Sequence, residues 1–227
     1  MIRFALIVAS TLGFFLTAAL GNLMTPLLRA FHDRQQPQKE AEPPTMGGLC
    51  LMTGTMAAVG VGWTAACVAQ PELLGSENLL TTRLLIALFG ALCFGGVGLA
   101  DDLARLRHRS TLGLRRPVRL GLEAASGALV LALLGLNDCL PDGLAVPGLG
   151  YCTLGPLAPA VWLVLLVALA ESVRTADGMD GTVCGCAFVA MLGLMTAMTL
   201  LGWFPLGVLP AALAGACLLY TSPSPRD

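Results

Sequence analysis

The chain has 227 residues, of which 56% are hydrophobic and only 12% charged, with a formal net charge of −1. Soluble domains carry about 25% charged residues, so this chain lacks the polar surface to cover a globule in water. Its pI of about 6.1 and mean hydropathy of +0.79 leave no basic face for nucleic acid and point to one membrane-embedded domain.

Crossing about 30 Å of hydrocarbon takes about 20 apolar helical residues. Runs of that kind lie at Phe4–Leu28, Gly47–Ala69, Leu84–Ala100, Leu120–Leu136, Leu154–Ala170 and Val183–Phe204, and Leu206–Ala216 starts another that stops short. The expected fold is all-α: a polytopic transmembrane helix bundle with six complete spans plus a truncated seventh, residues 1–216 forming the N-terminal part of one domain. A cleaved leader is the competing reading of Phe4–Leu28, but the run is longer than a usual leader core and further spans follow it. Residues Cys217–Asp227 read Cys-Leu-Leu-Tyr-Thr-Ser-Pro-Ser-Pro-Arg-Asp. They resemble the in-frame translation of a sequencing adapter that interrupts an apolar helix, and are expected not to be native. A genuine Ser/Pro-rich tail is the alternative that composition permits.

Loop charge sets the orientation. Arg29, Arg34 and Lys39 follow the first run, and six arginines from Arg105 to Arg119 follow the third. The stretch 70–82 and the stretch 137–153 contain no Lys or Arg. Lys and Arg are retained on the cytoplasmic side, so the loops after spans one, three and five face the cytoplasm and the N-terminus lies outside. The cysteines form no Cys-x-x-Cys pair, so no zinc site is expected. Most lie in apolar runs as small hydrophobes. Cys139 and Cys152 share one outer loop and are expected to be unpaired.

Three constellations fall in the three inner loops. Pro43-Pro44-Thr45-Met46-Gly47-Gly48 opens the second span, where prolines restrict the approach and paired glycines admit a close backbone or ligand. Asp101-Asp102 follows the third run. Adjacent carboxylates at a membrane boundary repel and need a cation, a proton or water; a solvated helix end is the bland reading, although acids there oppose the macrodipole. Asp177-Gly178-Met179-Asp180-Gly181 puts two aspartates on one side of a helix or tight turn, and by itself is equally a plain Asp-Gly turn. Together they place two acidic clusters on one face of the membrane, beside arginines that can hold phosphate bidentately. Carboxylates for Mg²⁺ and guanidiniums for phosphate are the parts of phosphoryl transfer; simple positive-inside topology is the competing account of the arginines.

From Leu20 to about Phe204 the chain resembles the polyprenyl-phosphate N-acetylhexosamine-1-phosphate transferases. The resemblance is carried by Gly21 and Pro26-Leu27-Leu28-Arg29, by Pro44-Thr45-Met46-Gly47-Gly48, by Gly98-Leu99-Ala100-Asp101-Asp102, by Gly113-Leu114 with Arg119, and by Asp177-Gly178-Met179-Asp180-Gly181. The Thr-Met-Gly-Gly segment favours the branch that uses UDP-MurNAc-pentapeptide. The chain departs from the family pattern at Glu40, Ala41, Glu42 and Pro43, where Lys-x-Gly-Thr is usual and Lys39 is displaced by one. It departs again at Leu103 for an aromatic residue, at Glu123 for Gln, and at Glu171 and Arg174 for the two asparagines of Asn-x-x-Asn.

The resemblance implies transfer of phospho-N-acetylmuramoyl-pentapeptide from UDP to undecaprenyl phosphate in the bacterial cytoplasmic membrane, with release of UMP. It implies Asp101 and Asp102 as catalytic residues, with Asp101 a base or orienting group for the acceptor phosphate. Substrate contacts are expected at Thr45, Arg119, Asp177 and Asp180, and Mg²⁺ at Asp102, Asp177 and Asp180, with a further Asp ligand and a His-rich loop expected beyond this stretch of chain. A homodimer is an additional expectation. A related transferase using another UDP-N-acetylhexosamine, or a catalytically decayed paralogue, remain open alternatives.

Overall fold

The computed structural model describes residues 2–35, 47–69, 71–74, 79–108, 113–146, 148, 150–176 and 182–221. Seven α-helices follow in order: α1 (Ile2–Gln35), α2 (Gly47–Ala69), α3 (Leu79–His108), α4 (Arg116–Leu136), α5 (Ala158–Ala176), α6 (Thr182–Leu200) and α7 (Val208–Thr221). Six of them are long and apolar enough to cross a membrane, and the chain is a multi-pass membrane protein. Between α4 and α5 a small antiparallel hairpin pairs β1 (Gly143–Val146) with β2 (Gly150–Thr153), Gly143 opposite Thr153 and Val146 opposite Gly150. A segment this short, punctuated by Gly and Pro, carries no alternating pattern from which a strand could be read.

Helix ends follow local chemistry. The α2 boundaries coincide with the apolar run, but α3 outruns its own at both ends. Beyond Ala100 the residues Asp-Asp-Leu-Ala-Arg-Leu-Arg-His include good helix formers, and an Arg four residues after an Asp supports a further turn. The acidic pair therefore sits inside α3, and the macrodipole penalty expected at a helix end does not apply to it. α6 stops at Leu200 because Gly202 takes a left-handed φ of +75°. The Trp203 N–H then donates to the Met198 carbonyl and the Gly202 N–H to that of Thr199, a Schellman closure. α4 closes the same way on Asp138, with φ +52° and the Cys139 N–H donating to Leu134 at 2.8 Å.

The tightest packing joins α1, α2 and α7. Leu6, Ala9, Gly13 and Thr17 form one buried stripe on α1, at the three-and-four spacing of a helix face. It meets Ala211, Ala212, Val208, Ala58 and Val59. In lipid the hydrophobic effect does not distinguish helix from tail, so close backbone packing through small residues takes its place. Gly13 lies against the Ala212 carbonyl, Gly215 against that of Ser10, and Gly54 against Thr17. By contrast, no described residue of α6 is buried, and α5 is nearly as open. The buried stripe of α4 changes character along its length: Arg119 and Glu123 at the start, then Gly127, Val130 and Leu131. That charged beginning faces the site. At the opposite end of the bundle Arg83 lies 5.6 Å from the Trp203 ring, and Trp162 donates to the Pro141 carbonyl at 3.1 Å. Cys139 and Cys152 are both free thiols.

Candidate functional site

Asp101 is the most deeply buried charged side chain among the described residues, 3% exposed. Its Oδ1 accepts the Leu114 backbone N–H at 2.7 Å. Its Oδ2 accepts from Arg105 at 3.0 Å and from Arg174 at 3.1 Å. Arg105 stands one turn along α3 and Arg174 near the end of α5, so this one carboxylate joins α3, the turn before α4, and α5. The turn can approach because Gly113 has a φ of +57°, and a Cβ there would fall 2.6 Å from Asp101 Oδ1. A buried carboxylate survives only when paired and hydrogen-bonded, and Asp101 is both.

Asp102, half-buried, lines a cavity of about 620 Å³ together with Asp101, Arg105, Arg174 and Gly48 at the start of α2. The cavity has two characters. The carboxylates and guanidiniums are few, and the rest of the lining is mainly apolar, including Leu49, Met52, Met56, Leu99 and Leu213. A ligand with a charged head and an apolar tail matches that division. α2 starts, α3 ends and α5 ends at this same side of the bundle, as the alternation of loops requires.

Arg119 sits on α4, 7% exposed. Its Nε and one terminal nitrogen both donate to Glu171 Oε1, at 3.0 and 2.8 Å, and Glu123 lies 3.6 Å away. Arg119 borders a second cavity, of about 510 Å³, with Arg115, Arg116 and Arg174. Arg174 lines both cavities and stands between the aspartate pair and the arginines of α4. The structure thus brings Asp101, Asp102 and the α2 glycine together, with Arg119 in the adjacent chamber. Thr45, Asp177, Asp180, Glu40 and Glu42 lie outside the described residues.

Glu123, Glu171 and Arg174 were not among the expected site residues, yet all three belong to this charged layer, together with Arg105 of the arginine stretch expected to hold phosphate. The signal was present in the sequence. Ionisable residues inside apolar helices are costly and mark function or each other, and Glu171 and Arg174 interrupt the run Ala158–Ala176. Their partners are 52 and 73 residues away in the chain, which no local pattern reveals. Among the described residues no cluster of three or more His, Cys, Asp or Glu is placed to hold a metal. Asp101 has both oxygens engaged, and Asp102 lines the cavity beside it. Mg²⁺ is commonly held by one or two carboxylates plus substrate phosphate, and Asp102 suits that limited role.

Residues 84–221 match the family model described as glycosyl transferase family 4. Among curated proteins the chain is similar to phospho-N-acetylmuramoyl-pentapeptide-transferase of Acaryochloris marina, 32% identical over 212 residues, covering 93% of this chain and 54% of the relative. It is also similar to proteins of the same name from a Synechococcus strain, 32% identical over 213 residues with 89% and 56% covered, and from Levilactobacillus brevis, 28% identical over 186 residues with 78% and 54% covered. The chain spans about half the length of these curated relatives.

Proposed function

The chain belongs to glycosyl transferase family 4, and on that premise we propose that the intact protein transfers phospho-N-acetylmuramoyl-pentapeptide from UDP to undecaprenyl phosphate. The observation that carries this reading is the two-sided cavity, in which Asp102, Arg105 and Arg174 stand beside Leu49, Met52 and Met56. A polyprenyl phosphate fits it with its tail along the apolar wall and its phosphate beside Arg105. The relatives' shared name supplies the donor.

An oxygen of the lipid phosphate attacks the sugar-linked phosphorus of the donor. A new P–O–P bond forms, the bond to the UMP phosphate breaks, and UMP leaves with the electron pair. Arg105 orients the acceptor phosphate and reduces its repulsion from the donor. Asp101, saturated by three donors, fixes Arg105 and is an orienting group rather than a base. Arg119, Thr45, Asp177 and Asp180 contact substrate. Asp102, with Asp177 and Asp180, would hold Mg²⁺, which would supply neutralisation of pyrophosphate charge.

The test is UMP release from UDP-MurNAc-pentapeptide and undecaprenyl phosphate by the intact, detergent-solubilised protein across a Mg²⁺ titration. Release that needs both substrates and the ion is expected; a folded protein releasing no UMP overturns the reading.

The site is assigned to the cytoplasmic face of a bacterial inner membrane, where soluble nucleotide arrives. On a background without native cysteines, single cysteines replacing Arg109 and Asp180 should resist an impermeant thiol reagent added to intact cells. One replacing Asp142, exposed at the opposite end beside the hairpin, should be labelled. Labelling at position 109 from outside would reverse the orientation.

A further inference from the structure

Glu171 and Arg174 stand one turn apart on α5 and reach different helices. Glu171 holds Arg119 of α4 through two bonds to one oxygen. Arg174 holds Asp101 of α3. Backbone packing joins α5 mainly to α4, so the Arg174–Asp101 pair is a tie across to α3. Glu123 lies within electrostatic range of Arg119, Glu171, Arg174 and Asp101 alike, which makes the two pairs one network. Within it the carboxylates of Asp101, Glu123 and Glu171 balance the guanidiniums of Arg105, Arg119 and Arg174.

We propose that Glu171 and Arg174 are one charge-compensated positioning unit, Glu171 fixing Arg119 and Arg174 fixing Asp101, so that neither can be neutralised alone. The inference rests on the reading of Asp101 and Arg119 as parts of a transferase site. Its physical basis is the cost of leaving the buried Asp101 or Arg119 short of counter-charge. Removing one partner of a buried charge costs more than removing a balanced set. Glu171→Asn leaves the network one positive charge in excess, and Arg174→Asn one negative. The double variant is neutral again and retains two matched pairs, Arg119 with Glu123 and Asp101 with Arg105.

The experiment is a double-mutant cycle in the intact protein: wild type, Glu171→Asn, Arg174→Asn and both together, with Glu171→Gln and Arg174→Lys as companions. Unfolding midpoints in detergent and the kinetics of UMP release are both read. Glu171→Asn, and Glu171→Gln with it, should raise KM by about tenfold with a smaller change in kcat, and Arg174→Asn should lower kcat by about tenfold, effects within the range for coupled neighbours. The double variant should recover to within about threefold of wild type in both, and unfold at a higher temperature than either single variant. Arg174→Lys, which keeps the charge, should stay close to wild type. Loss of a single Asn variant during purification while the double survives is the same coupling read as yield. Effects that multiply, leaving the double worse than either single, overturn the proposal. Coupled unfolding in a wild type that releases no UMP removes the positioning role and overturns the proposed function with it. Coupled unfolding with an active wild type but multiplicative kinetics removes the positioning role alone.

Discussion

Asp102→Asn in the intact protein should lower the rate of UMP release by about 10²–10⁴-fold, the usual cost of losing one positioned ionisable group. The size of the side chain is kept and only its charge is lost. Asp102 is half-buried and borders the two-sided cavity, so its lost charge reaches what occupies that cavity. Asp101→Asn tests a different property of the same dipeptide. The amide oxygen can still accept the Leu114 N–H, but the amide nitrogen then meets Arg105 and Arg174, which have only protons to offer. Two charge-assisted bonds are lost, each worth about 1.5–3 kcal/mol in typical cases, and part of this is returned because both arginines are partly exposed. Asp101→Asn should therefore lose stability and activity together. Full turnover in Asp102→Asn would remove that carboxylate from the mechanism. An Asp101→Asn variant as stable as wild type would show that the carboxylate is not the anchor its contacts describe.

Gly215→Leu and Gly13→Leu should each prevent recovery of folded protein. Both glycines lie where α1 and α7 approach most closely. A Cβ on Gly215 would collide with the Ser10 carbonyl and come within 3.1 Å of the Phe14 nitrogen; one on Gly13 would collide with the Ala212 carbonyl. Overpacking a core usually costs about 1–3 kcal/mol when side chains can yield. Here the obstacle is backbone in two helices, so relief requires the helices to part. Parting them unpacks Ala9, Val208, Ala211 and Ala212, all at most 1% exposed. Even Gly215→Ala should lower the unfolding midpoint, read by tryptophan fluorescence in detergent. Gly60→Ala is the control, since nothing lies within 4 Å of that position. There the helix-propensity gain of about 1 kcal/mol should appear undiminished. A Gly215→Leu variant that folds with wild-type stability would show that α1 and α7 do not meet as described.

Much of this molecule is determined locally. Apolar runs of membrane length are legible because lipid forces each span to satisfy its own backbone within a helix, and the α2 boundaries could be read residue for residue. Helix ends were less legible where polar residues continue a helix, as in Asp101–His108, or where a single left-handed residue stops one, as at Gly202. The Asp101-Asp102 pair was visible as two acids at a membrane boundary, but the division of labour between them was not. That division depends on Leu114, 13 residues on, and on Arg174, 73 residues on. Glu123, Glu171 and Arg174 read singly as departures from a family pattern. Only the packing of α3, α4 and α5 turns them into partners of Arg119 and Asp101. The sequence by itself determined the class, the spans and the candidate acids, because hydrophobicity and periodicity act along the chain. The tertiary structure decided which charges neutralise which, because ion pairing acts through space and falls off within a few ångströms, whatever the separation in sequence.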